Sequence, residues 1–164
     1  MEIGESFVGA GADAAHINTV FGPREGPTGT AWATALASPS AGHTPFVVVL
    51  RPSLPVKPLT LFVNKAAIAG NDHARLTWGA AQAGVAGGVA DALAEGVLAA
   101  DRADEWVLIA AVWVSPDARD EAAVYRNNRA ATRAALVAGR DRTPTQSEVL
   151  AARERPWNPF FKPS

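Results

Sequence analysis

Residues 14–24 read Ala-Ala-His-Ile-Asn-Thr-Val-Phe-Gly-Pro-Arg. In a β-strand this alternation places His16, Asn18 and Val20 on one side and Ile17, Thr19 and Phe21 on the other. A shorter strand over residues 6–8 precedes it through Gly9, Ala10 and Gly11, which predicts an antiparallel hairpin. Gly22 and Pro23 stop the second strand. Pro27 suits the first turn of a helix running to about Leu36, which the segment 38–42 (Ser-Pro-Ser-Ala-Gly) ends. Residues 46–50 (Phe-Val-Val-Val-Leu) form a continuous apolar run and predict a strand buried on both faces. Three prolines make residues 52–58 an extended connector. The next strand, 59–67, puts Leu61, Val63, Lys65 and Ala67 on one face and Phe62, Asn64 and Ala66 on the other. Lys65 thus interrupts an apolar row, and its charge either emerges at the strand end or points into a site.

A helical period runs over residues 71–96, with Asn71 and Asp72 as the cap and Val85, Val89 and Leu93 at i, i+4 and i+8. Gly79 is a candidate break. Gly84, Gly87 and Gly88 each cost about 1 kcal/mol of helix propensity against alanine, so a sheet, a neighbouring subunit or a ligand must approach that backbone closely. Residues 105–114 predict another buried strand. Ser115 and Pro116 then start a helix to Gly139, with Arg119, Arg126, Arg129, Arg133 and Arg140 close to one side, a pattern usual for a solvated or subunit-pairing face. The tail holds Trp157, Phe160 and Phe161, too aromatic for a free terminus, and is expected to dock on a neighbour or a groove. Together these elements predict a single α+β domain over residues 1–164, built as a two-layer sandwich.

Charge and composition narrow the function classes. A formal net charge of -1 over 164 residues gives no field that favours nucleic acid or a membrane surface, so small molecules or proteins are the expected partners. The absence of cysteine excludes disulfides, thiolate nucleophiles and thiolate metal sites. No apolar run approaches the roughly 20 residues of a spanning helix, and the N-terminus has no signal-peptide pattern, so a soluble cytoplasmic protein is expected. Small residues are abundant and aromatics few, which implies a shallow core and favours assembly into an oligomer.

Few chemistries survive. His16, His43 and His73 are scattered without carboxylates at ligand spacing, so no metal site is expected. Gly9 to Gly11 lack the lysine and following helix of a phosphate loop, and no nucleophile-elbow pattern occurs. What remains is acid-base work by His16, with Asn18, Lys65 and Gln82 as orienting or polarising groups. Spacing alone favours the plainer reading, a structural histidine satisfied by the neighbouring amide.

Several motifs in order and register carry a resemblance over nearly the whole chain. They are Ile3-Gly4-Glu5 followed by Val8-Gly9, Ala15-His16-Ile17, Gly22-Pro23-Arg24, Leu54-Pro55-Val56-Lys57-Pro58, Phe62 with Asn64-Lys65, Gly79 with Ala81-Gln82 and Gly84-Val85-Ala86, Ala94-Glu95-Gly96, and Asn158-Pro159-Phe160. The chain resembles the formaldehyde-activating enzymes of one-carbon metabolism. That resemblance implies a cytoplasmic homopentamer with a ribosomal-protein-S5-domain-2-like α+β fold. It implies a metal-free lyase with no tightly bound cofactor that condenses formaldehyde with tetrahydromethanopterin, releasing water. His16 matches the family's proton donor, and Asn18, Val47, Lys65, Ala67 and Gln82 match its pterin contacts. The chain departs from the family's pattern where Asn18 replaces an aspartate, Ala67 a threonine, and Ala80 and Ala83 the proline and histidine flanking the glutamine. Asparagine removes a negative charge and adds a donor, which leaves a different acceptor amine, tetrahydrofolate among them, as an alternative. A pterin or formaldehyde binder without turnover is the non-enzymatic alternative.

Overall fold

The computed structural model describes residues 1–163. β1 (Glu2–Val8) and β2 (Ala15–Pro23) form the expected hairpin, with Phe7 opposite His16 and Glu5 opposite Asn18. α1 (Pro27–Ala37) follows, then β3 (Phe46–Val47), β4 (Val49–Arg51), β5 (Leu54–Pro55) and β6 (Leu59–Asn64). α2 (Asn71–Arg75), a π-helical turn (Leu76–Ala81) and α3 (Gln82–Ala94) make one continuous helical stretch, which Gly79 does not break. β7 (Trp106–Trp113), α4 (Glu121–Asp141) and α5 (Gln146–Ala152) complete the order. The architecture is an α+β sandwich whose main sheet has five strands in the order β1-β2-β7-β6-β3, antiparallel except for β6 beside β7.

α3 and α4 lie against one face of this sheet, over Ile17, Phe21, Phe62, Leu108 and Val112. The approach is backbone to backbone. A Cβ on Gly4 would fall 1.8 Å from the Ala135 carbonyl oxygen of α4. The glycines of α3 have the same cause, since Cβ atoms on Gly84 and Gly88 would each lie 2.6 Å from a carbonyl oxygen of α4 (Tyr125 and Arg129). The close neighbour anticipated for this helix is therefore another helix of the same chain.

Four elements differ from expectation. The run 46–50 is not one strand buried on both faces. It pairs with β6 at Phe46 and Val47, the Val48 amide still donating to the Thr60 carbonyl at 2.9 Å, then leaves the sheet and pairs with β5, so that Val48 is buried while Leu50 is half exposed. β6 is an outer strand over most of its length, and a run beside it has one side without a partner strand. Residues 52–58 accordingly contain a tight reversal at Ser53 (φ 65°) rather than a plain connector. The strand over 59–67 ends at Asn64, though the Lys65 amide still donates to the Val112 carbonyl at 2.7 Å. The long helix starts at Glu121, with the Asp120 carboxylate accepting from the Ala123 amide. The Ser115 hydroxyl instead accepts from the Asp117 amide in a turn. Arg129 and Arg133 of the predicted stripe pair across to Asp91 of α3 and to Glu95 at its C-terminal end, so this part of the stripe braces two helices of one chain.

Candidate active site

The strand register sorts side chains onto two faces, and the face away from α3 and α4 carries the chemistry. Ile3, Glu5 and Phe7 of β1 share it with His16, Asn18 and Val20 of β2 and with Ile109, Ala111 and Trp113 of β7. Parallel pairing of β6 to β7 adds Leu61, Val63 and, one step past the strand end, Lys65. α1 lies over the far end of this face, where Thr28 meets Gly22, and leaves the His16 end open.

Lys65 crosses β7 to reach β2. The residue between Val63 and Asn18 in the register is Ala111, too small to block the path. The Lys65 Nζ donates to Asn18 Oδ1 at 2.7 Å and lies 3.1 Å from His16 Nδ1. The other ring nitrogen of His16, Nε2, lies 2.9 Å from Glu5 Oε1. Four side chains from three strands therefore form one line, Glu5–His16–Lys65–Asn18. Burial, reinforced by the Lys65 charge, holds the His16 imidazolium below its ordinary pKa, and Glu5 opposes that shift. Burial likewise lowers the Lys65 ammonium, again against Glu5. An N–H on Nδ1 would face the ammonium donor to donor at this separation, so protonation of one group disfavours that of the other.

A cleft of about 930 Å³ opens at this end of the sheet, with Glu5, Phe7, His16 and Trp113 in one wall. The C-terminal segment forms the other wall. There the Phe160 ring meets Trp113 edge-on at 5.8 Å between centroids, yet Trp157, Phe160 and Phe161 stay largely exposed, so within this chain the tail borders the cleft without the docking of its aromatic rings that its composition suggested. The cleft's volume suits a small-molecule substrate.

Of the residues singled out from the sequence, the structure brings together His16, Asn18 and Lys65. Val47 pairs with Leu61 and so lies on the same face, further along the sheet. Ala67 lies beyond the strand end beside Gly42, whose carbonyl accepts from the Ile68 amide. Gln82 stands apart on the helical side, its carboxamide accepting from the Val49 amide at 3.0 Å and donating to the Val49 carbonyl at 3.1 Å. It thereby holds the strand that leaves the sheet. Glu5 was missed, because a first strand begun at residue 6 leaves it outside the hairpin. Extending the alternation back through Ile3, Glu5 and Phe7 would have placed it opposite Asn18. No group of three or more His, Asp or Glu arranged to hold a metal occurs among the described residues.

Comparisons with known proteins place the chain in a family. A family model described as formaldehyde-activating enzyme (Fae) matches residues 3–161. The chain is 41% identical over 158 residues to a 5,6,7,8-tetrahydromethanopterin hydro-lyase of Methanosarcina barkeri, covering 96% of this chain and 89% of that one. It is 40% identical over 158 residues to a bifunctional enzyme Fae/Hps of Archaeoglobus fulgidus and 41% identical over 160 residues to one of Methanosphaera stadtmanae. Those alignments take in 96% and 98% of this chain, which spans about two fifths of the length of these bifunctional relatives, 40% and 39%.

Proposed function

The chain belongs to the formaldehyde-activating enzyme family, and from that premise we propose that it condenses formaldehyde with tetrahydromethanopterin, forming the methylene-bridged pterin and water, with His16 as the general acid. The observation that carries this reading is the position of His16 in the wall of the cleft, between a carboxylate and an amine.

An amine adds to formaldehyde to give a carbinolamine. Expelling its oxygen as water requires a proton on the leaving hydroxyl, which the His16 imidazolium, made a stronger acid than usual by burial and the Lys65 charge, supplies. Glu5 stabilises that imidazolium through Nε2, and Nδ1 lies beside the Lys65 amine. The condensation also proceeds without a catalyst, so orientation in the cleft plus one positioned acid account for an acceleration, the acid contributing about 10²- to 10⁴-fold. Rates with formaldehyde and tetrahydromethanopterin, measured against the spontaneous reaction, test this. The native chain accelerates the reaction and His16→Ala loses about 10²- to 10⁴-fold of that acceleration while remaining folded. No acceleration, or an undiminished one in His16→Ala, removes the reading, and tight pterin binding without turnover would leave a carrier.

Asn18 favours a second reading of the same chemistry. A carboxamide at the end of the cluster presents both a donor and an acceptor, so a different amine, such as tetrahydrofolate, is the alternative co-substrate. Product trapping with a panel of amines separates the two. Homopentameric assembly in the cytoplasm belongs to the same proposal. It is supported by the open sheet face and by the exposed Ile3, Leu36, Trp157 and Phe160. A monomeric mass in solution would remove it. No helix among the described residues is long and apolar enough to cross a membrane.

A further inference from the structure

Formaldehyde offers a protein almost nothing to recognise. It has one carbon, no charge and no shape that a cleft of about 930 Å³ fits. Its strongest property is electrophilicity, and a neutral amine takes it up reversibly. We propose that the Lys65 side chain is the first acceptor of formaldehyde, binding it as a covalent carbinolamine and iminium and passing the methylene carbon to the amine co-substrate. This inference rests on the condensation proposed above and assigns Lys65 a nucleophilic rather than a ligand-contacting role.

The arrangement around Nζ makes the case. Lys65 is half-buried, its backbone fixed to β7 through the Val112 carbonyl. Its nearest acceptor, Asn18 Oδ1, carries no charge to hold an ammonium, and the carboxylate of the cluster, Glu5, is engaged at the distant nitrogen of His16. A neutral amine that donates one N–H to Asn18 and the other to His16 Nδ1 directs its remaining tetrahedral position, the lone pair, away from both. Desolvation lowers the proton affinity of Nζ in the same sense, the usual way in which a lysine is made nucleophilic.

The steps balance. The Nζ lone pair forms a bond to the formaldehyde carbon as the C=O π pair moves to oxygen. The proton now in excess on Nζ passes along the existing hydrogen bond to His16 Nδ1, and His16 returns it to the alkoxide. A further proton, taken from solvent by His16, goes to the hydroxyl, and the nitrogen pair expels water, leaving a protonated methylene-imine on Lys65. The acceptor amine adds to that carbon and loses its proton. That proton goes to Nζ, the bond from carbon to Nζ breaks with its electron pair remaining on nitrogen to regenerate the neutral lysine, and the acceptor's second nitrogen closes the bridge and loses its proton to solvent, balancing the one His16 took up. The sum is formaldehyde plus diamine giving methylene-diamine plus water, with no oxidant or reductant.

The chain contains three lysines, Lys57, Lys65 and Lys162, which makes the capture directly readable. Lys57 is paired with Asp104, and Lys162 is an exposed member of the cleft wall. The native chain is treated with limiting formaldehyde and cyanoborohydride, without pterin, and methylation at each lysine is followed by peptide mass mapping. Lys65 labels at least about tenfold faster than Lys57 and Lys162, because burial keeps a larger share of its amine neutral. Asn18→Asp, similar in shape, places a carboxylate at the amine and slows labelling of Lys65 about tenfold or more. Lys65→Arg keeps the charge and removes the nucleophile, and it loses the acceleration of the condensation while the fold, followed by circular dichroism, is retained. Equal labelling of the three lysines, unchanged labelling in Asn18→Asp, or full acceleration by Lys65→Arg overturns the inference. The labelling needs no pterin. Selective labelling without acceleration therefore keeps the capture and removes the condensation, whereas acceleration without selective labelling does the reverse.

Discussion

The two faces of the sheet are built by opposite rules. On the covered face, contact is between main chains: Gly4 lies under the Ala135 carbonyl, and Gly84 and Gly88 lie under Tyr125 and Arg129. At those crossings glycine is required because the backbones meet, while Ile17, Phe21, Phe62 and Leu108 fill the space between them. On the open face, contact is between long polar side chains that reach across strands, Glu5 to His16 and Lys65 to both His16 and Asn18. Stability is concentrated on the first and reactivity on the second. A change on one face is therefore expected to leave the other largely intact.

The strongest test of that division is Gly4→Val. Its Cβ would stand 1.8 Å from a carbonyl oxygen of α4, a position that no movement of a flexible side chain relieves. Stability falls by at least about 3 kcal/mol or the chain fails to fold, as read by denaturant unfolding. A variant as stable as the native chain would show that α4 is free to shift, and the contrast between faces would fail. A smaller loss is expected at His73, a buried histidine that contrasts with His16. Its Nδ1 accepts from the Ala69 amide at 3.0 Å and its Nε2 donates to the Val114 carbonyl at 3.0 Å. Both nitrogens serve the main chain, so it ties the loop after Lys65 to the end of β7. His73→Ala leaves two backbone groups without their partner, each costing about 1–3 kcal/mol if it stays buried. A loss of about 2–4 kcal/mol in unfolding free energy is the expected outcome. Unaltered stability would mean that water replaces the ring, and His73 would cease to count with the structural face.

The division also explains what the sequence pattern revealed. Alternation in residues 14–24 and 59–65 sorted which side chains share a face, because period-two patterning fixes that, but not which of the two faces stays open. The glycines of α3 announced a close neighbour without identifying it, since a missing Cβ states that space is needed but not by what. The apolar run 46–50 misled for a related reason. Apolarity without alternation does not distinguish a central strand from one that leaves the sheet and is pinned from outside, here by Gln82 on Val49. At residues 115–121 two plausible caps competed, and Ser115 spends its hydroxyl on a turn while Asp120 caps the helix. Glu5 lay hidden in the underestimated length of β1, although its register with Asn18 follows once the strand is extended.

The mildest perturbation tests the open face from within. Glu5→Gln keeps an oxygen that accepts from His16 Nε2–H and removes only the charge. Because Glu5 is exposed, stability should move by no more than about 0.5 kcal/mol. The pH profile of the condensation carries the effect. Glu5 opposes the downward shifts of both His16 and Lys65, so its neutralisation lets both groups lose their protons at lower pH than in the native chain. Both limbs of the profile, set by the protonation of the His16–Lys65 pair, move toward acid. The whole profile is displaced to lower pH, and the rate on the alkaline side decreases. A shift of one limb alone would leave one of the two groups outside the chemistry. A profile that does not move would detach Glu5 from the site and reduce the reactive line to His16, Lys65 and Asn18.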